Sequence, residues 1–364
     1  MKIRTITSHD CYNFGASLQA YALQTHLELL GYDVEIIHYK PDYLSGHYNL
    51  WKVSNPVFDK PFIKQLYLLA KLPSRLLALK RKKVFDEFTA KYLHLTRRYN
   101  SYEELKAEAP EADVYIAGSD QIWNTLFRRG REAAFYLDFG KPEVKRISYA
   151  ASFATPDVVS EYREFVKEKL KGIDHISIRE KTSLPLLASL GRLDGVAVCD
   201  PVFLLSKVQW HKTIEDVKGY NEKYILVYLT DQSHEIEQIS REMAKAQGWK
   251  IYVVGAFKTS YANRNFVNAG PLEFVKLIEN AQFVISNSFH GSAFALIFEK
   301  NFCVVNRKEG INERMKSMLA DMGIENRLVC KYNASLLSPI DYSIVNNKKT
   351  LFISESKQWL HSHL

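Results

Sequence analysis

No stretch of the 364-residue chain is apolar for long enough to cross a bilayer. The run 3–7, ahead of His9 and Asp10, is too short for the core of a secretion signal. Together these absences predict a cytoplasmic protein. Cysteine is scarce: Cys11, Cys199, Cys303 and Cys330 stand far apart with no CxxC pair, which argues against a zinc ribbon or a dithiol redox centre. Cys199 and Cys303 lie in apolar runs and read as buried structural thiols. There is no GxGxxG either, since Gly15 stands alone after the first apolar run, and an NAD or FAD fingerprint is therefore missing. Carboxylates and histidines do not cluster at ligand spacing, so neither a metal nor a cofactor is expected.

What is present has an ordinary globular balance, 46% hydrophobic and 25% charged. The length is more than one compact core usually needs, and two domains are expected. Net charge is +8, but it is localised: 60–98 holds eleven Lys or Arg against Asp86 and Glu87, which leaves the rest of the chain near neutral. A nucleic-acid partner is therefore not expected. Segment 60–98 is apolar at helical intervals and reads as a helical pair interrupted at Pro73. Its basic amphipathic character suggests peripheral contact with the cytoplasmic membrane face, and hence membrane association. The charged outer face of an ordinary helical pair is the alternative.

Short apolar runs alternate with helical patterns along the chain, in two blocks, which predicts two doubly wound α/β domains facing a cleft. Their spans are 1–205, with 60–98 as a basic helical insertion, and 206–364, with the last helix packing back on the first domain. In such folds ligands sit beyond the carboxyl ends of the strands. Three strand ends are rich in polar groups. The first run leads into a loop with Asn13 and Gly15, read both as a helix cap and as a ligand contact through backbone amides. A second ends in Ser119, Asp120, Gln121, Trp123 and Asn124, a mixture suited to hydroxyl-rich ligands, or else a turn in which Trp123 closes the core. A third, 283–285, ends in Asn287 and Ser288, then His290 and Gly291 open a helix. His290 at that mouth is a proton donor or acceptor near neutral pH, or a turn-capping histidine. Arg179, at the end of the run 175–179, is placed to fork onto phosphate or carboxylate, or to pair with Glu180 at the surface.

In order, NFGASLQAYAL, DVYIAGSDQIWN, RISYAASF, ISIREKTS, CDPVFLL, GPLEFVKLIENAQFVISNSFHGSAFALIF and NERMKSML resemble the polysaccharide pyruvyl transferase family over nearly the full length. The resemblance implies a fold like that of the B-type glycosyltransferases and transfer of pyruvate from phosphoenolpyruvate to a saccharide as a ketal, with release of phosphate. It implies His290 as the acid/base residue and Arg179 as a holder of the donor anion. The acceptor it implies is a saccharide or a lipid-linked oligosaccharide. Other branches of the family carry an arginine where Ser288 stands, so Arg307 and Arg314 are the candidates to replace that cation. Two other readings stay open: a B-type glycosyltransferase using a nucleotide sugar, and a non-catalytic protein that docks on membranes or acidic polymers.

Overall fold

The computed structural model describes residues 1–45, 51, 53, 58, 60–306 and 313–364. The strands of the first half are β1 (Lys2–Ile6), β2 (Asp33–Tyr39), β3 (Leu95–Tyr99), β4 (Val114–Ala117), β5 (Lys145–Ala151), β6 (His175–Ile178) and β7 (Val196–Ala197). Those of the second are β8 (Tyr224–Tyr228), β9 (Lys250–Val254), β10 (Arg264–Phe266), β11 (Phe283–Ser286), β12 (Asn301–Val305) and β13 (Leu328–Val329). The longest helices are α1 (Phe14–Leu29), α2 (Ile63–Tyr92), α3 (His234–Gln247), α4 (Pro271–Asn280), α5 (Phe289–Ile297), α6 (Glu313–Met322) and α7 (Tyr342–His363).

The sheets run β3-β2-β1-β4-β5-β6-β7 and β10-β9-β8-β11-β12-β13, and their paired strands are parallel. Parallel sheets covered on both faces bury their strands completely, and β4 and β8 are buried at every position. Each order reverses direction once, between β1 and β4 and between β8 and β11. Loops that diverge at such a reversal leave a crevice beyond the strand ends.

The two halves share one continuous hydrophobic core, which includes Ile3 and Phe14 of the first and Tyr224 and Val284 of the second. At its centre the Phe14 ring lies parallel to Phe274 of α4, with centroids 4.5 Å apart and an interplanar angle of 2°. Trp210 is fully buried between Tyr21 and Phe294, and its indole donates to the Val202 carbonyl at 2.9 Å. Helix α7 returns to the first sheet, where Ser356 Oγ accepts from Cys199 N and Trp359 lies against Tyr149.

The basic segment departs from its expected form. Helix α2 runs unbroken through Pro73, and 95–98 belongs to β3. Proline removes one donor and leaves the carbonyl four residues earlier unpaired. Leu69, which carries that carbonyl, is 66% exposed, so water can satisfy it and the helix continues. The second half of α2 is no outer face: Arg81, Phe85 and Phe88 are buried. The Arg81 guanidinium lies over the Phe14 ring and donates to Val267 O at 3.3 Å and Tyr12 O at 3.5 Å, reaching both halves of the molecule. The stretch 41–61, whose irregular, aromatic sequence reads as an insertion or lid, lies about half outside the described residues.

Candidate active site

The polar loops cluster where the two sheet reversals face each other. Asn13 caps α1 with Oδ1, which accepts from Gly15 N at 2.9 Å and Ala16 N at 3.3 Å. Across the cleft, Ser288 occupies the N-cap position of α5 without a side-chain cap bond. Ser286 Oγ accepts from Ser288 N at 3.0 Å and donates to the Tyr228 carbonyl at 2.9 Å, which fixes the turn on β8. Gly291 lets α5 press onto β11 and β8, since a Cβ there would lie 2.5 Å from Ser286 Oγ and 2.9 Å from the Tyr228 ring.

His290 is nearly buried, 5% exposed, and its ring packs against Gly15 of the other half. A Cβ at position 15 would lie 1.9 Å from Nδ1, closer than real Cβ atoms approach anything. The glycine is therefore demanded by the imidazole and not by the helix, in which alanine is the better residue. Gly15→Ala is expected to tilt the ring and lower kcat about a hundredfold, the cost of roughly 1 Å of misplacement, while the overpacking of a buried ring lowers stability by about 1–3 kcal/mol. Steady-state rates alongside a melting curve check this, and wild-type kcat would show that the ring position is unimportant.

Asp200 connects the site. Its side chain is fully buried, and Oδ2 accepts from Arg179 Nη1 at 2.7 Å and lies 3.4 Å from both His290 Nε2 and Ser119 Oγ. The Nε2 contact is close without hydrogen-bond alignment. Oδ1 accepts from Val202 N at 3.1 Å. Burial opposes ionisation of this carboxyl, but His290 and Arg179 hold it well below the usual carboxylate range. Arg179 also faces Asp120 at 3.5 Å and Glu180 at 3.8 Å, and stacks on Phe289 at 4.7 Å. The expected alternative of a surface pair with Glu180 does not apply, because both side chains are 1% exposed.

Asp120 gathers further cations. Burial opposes its charge, yet Arg179, Arg129, His290 and Arg314 together hold its carboxyl below the usual range. Arg129 Nε donates to Gln121 O at 3.1 Å. Arg314, on α6, lies 5.9 Å from the Phe289 centroid, and the Gln121 amide oxygen, turned to face it, accepts from Nη2 at 2.8 Å. The guanidinia of Arg179, Arg129 and Arg314 thus meet the carboxylates of Asp120, Glu180 and Asp200. Among these six side chains the charges balance.

Several residues expected to contact a ligand serve the framework. Trp123 is fully buried, stacked on Tyr136 with Nε1 donating to Phe135 O at 3.0 Å, so it closes the core and does not cover a ring at the site. Ser119 and Asn124 are also fully buried: Ser119 donates to Ala150 O at 2.7 Å, and Asn124 Oδ1 accepts from Leu126 N at 3.0 Å. Asn287 joins the loops after β8 and β11, accepting from Thr230 N at 3.0 Å and donating to Asp231 at 2.7 Å. Arg307 lies outside the described residues. Sequence reasoning missed Asp200, Arg129 and the group formed by His9 and Asp10 of the first loop with His38 and Lys40 at the end of β2. Lys40 pairs with Asp10, His38 Nε2 is 3.7 Å from the same carboxylate, and burial lowers His9 to about 4.

Two parallel-sheet halves, with their reversals facing and a histidine of one half reaching an arginine-bound aspartate of the other, form a two-domain α/β protein of the B-type glycosyltransferase fold. Solved structures agree. The structure named MnaA-UDP from S. aureus overlays with a TM-score of 0.52 at 13% identity, covering 98% of this chain and 90% of that one. UDP-N-acetylglucosamine 2-epimerase from Rickettsia bellii overlays at 0.50 and 12% identity, covering 100% and 96%. A search of curated proteins finds no significant match. The chain belongs to the polysaccharide pyruvyl transferase family, whose model matches residues 13–309.

Proposed function

We propose that the protein transfers pyruvate from phosphoenolpyruvate to two hydroxyls of a saccharide, free or lipid-linked, forming a ketal and releasing phosphate. Beyond family membership, the observation that carries this reading is the shared Asp200 oxygen, 2.7 Å from Arg179 and 3.4 Å from His290. We place the donor there. Phosphoenolpyruvate is a carboxylate and a phosphate on an enol, and every step of the reaction moves a proton or an anionic charge.

Protonated His290 gives its proton to the methylene carbon, which becomes the ketal methyl, while one sugar hydroxyl adds to the adjacent carbon. The second hydroxyl then forms the second C–O bond as the C–O bond to phosphate breaks. Of the two hydroxyl protons, one restores the imidazolium and the other leaves with phosphate. Asp200 positions the ring and balances its charge in the protonated form. Arg314 takes the part of the arginine replaced by Ser288. Because the resident carboxylates already neutralise the guanidinia, the donor anion must displace one of them from its arginine; Asp120, the longer of the two contacts to the Arg179 Nη atoms, is the one that yields. The mechanism calls for no cofactor. The acceptor enters against the loops of the first half, past Asn13 and Gln121.

Incubating the protein with phosphoenolpyruvate and candidate glycans is expected to release phosphate only when an acceptor is present, with a new ketal methyl resonance. Stabilisation by UDP with no response to phosphoenolpyruvate would overturn this reading in favour of a nucleotide-sugar enzyme.

A further inference from the structure

Arg129 is the cation of the site to which the reaction above gives no task. It stands in the short helical turn Arg128–Arg131, just beyond the loop that carries Asp120. Gly130 lets this turn fold back on that loop, since a Cβ there would lie 2.3 Å from the Asn124 carbonyl. The Arg129 side chain is half-buried and held at two points: Nε donates to Gln121 O at 3.1 Å, and the guanidinium lies over the Phe127 ring, 4.8 Å from its centroid. Its neighbours are committed, Arg128 over the Tyr43 ring and Arg131 to the Thr125 and Leu126 carbonyls. Arg129 differs, because among the described residues neither of its Nη groups meets a hydrogen-bond acceptor or a carboxylate. Arg179, by contrast, faces three carboxylates. Arg129 is nonetheless close to the chemistry. Its charge acts on Asp120 next in strength after that of Arg179. Gln121 also joins it to Arg314, the backbone oxygen accepting from one guanidinium and the amide oxygen from the other.

We infer that Arg129 holds the phosphate of the donor, and the inorganic phosphate it becomes, through its two Nη groups. With Nε tied back, the guanidinium presents an end-on fork whose two N–H donors match a pair of phosphate oxygens. Phe127 and Gln121 set the plane of the fork before a ligand arrives, which lowers the ordering cost of binding. Phosphoenolpyruvate has two anionic ends. A carboxylate taken by Arg179 and Arg314 leaves the phosphate to a third cation. Exposure favours this assignment: Arg179, 1% exposed, encloses the part that is transferred, and half-buried Arg129 opens to solvent, where the phosphate departs. A phosphate of a lipid-linked acceptor would fit the same fork, so the test separates the two sources. The inference rests on the proposed reaction.

Calorimetric titration of the full chain with phosphoenolpyruvate, inorganic phosphate, pyruvate and farnesyl diphosphate tests it. Arg129→Gln is expected to weaken phosphoenolpyruvate and inorganic phosphate about tenfold or more, the loss of a charge-assisted pair, and to leave pyruvate within about twofold. Arg129→Lys keeps the charge without the fork and should recover only part of the affinity. The melting curve should not move, since water can satisfy Gln121 O at a half-buried position. A glutamine variant that binds both phosphates like wild type, or that loses pyruvate equally, would overturn the proposal. Weakening of farnesyl diphosphate alone would assign the fork to a lipid-linked acceptor and overturn it too. Failure of the wild type itself to bind phosphoenolpyruvate would overturn the proposed reaction together with this inference, and is read before any variant is compared.

Discussion

Asp200→Asn is expected to destabilise the protein by about 3 kcal/mol and to lower kcat about a hundredfold or more. Asparagine keeps the size and the Oδ1 bond to Val202 N, so the substitution isolates the charge. Removing one partner of a buried ion pair commonly costs about 3–5 kcal/mol. The low end applies because Asp120 and Glu180 still face Arg179. The pH dependence has a definite sign. A carboxyl held below its ordinary value of 3.8 contributes stability that is complete above that value and is lost as pH falls through the lower folded value. The gap between wild type and variant should therefore stay level from about pH 5 to pH 8 and narrow only in acid. Denaturant melts at several pH values read this directly. A gap that opened and closed around neutrality would assign the effect to a group other than the Asp200 carboxyl.

His290→Ala is expected to lower kcat by about 10²–10⁴-fold, the range for a positioned acid or base. On the proposed reaction the Michaelis constant for phosphoenolpyruvate should move much less, because the guanidinia that would hold the anion are left in place. Single-turnover phosphate release separates the two, since a slow proton transfer lowers the rate at saturating donor. Loss of donor affinity with an unchanged saturating rate would make His290 a binding residue. A kcat within a few-fold of wild type would remove it from the chemistry. The same assay on Gly15→Ala shows how much of the rate depends on where the ring sits.

The loops that form the cleft were legible because each follows a short apolar run that stops abruptly in polar residues, and parallel strands buried on both faces produce that pattern. The positions of Asn13, Asp120 and His290 at strand ends follow from it directly. Trp123 was misread because an indole in a polar loop has the same local signature whether it turns outward or, as here, onto Tyr136, and its partners come from a later segment without strong periodicity. Asp200 was overlooked for the opposite reason. An Asp before a Pro reads as a turn cap, which Oδ1 is, while the site contacts belong to Oδ2. The unbroken course of α2 past Pro73 depends on solvent reaching one carbonyl, a circumstance that local sequence does not record.

The parallel pair of Phe14 and Phe274 couples two contacts that cross the cleft. Phe14 immediately precedes the glycine that braces the imidazole, and Phe274 belongs to the opposite half. A displacement of the halves that slid these rings apart would withdraw the brace as well, so the pose of the histidine is set by how the two halves meet.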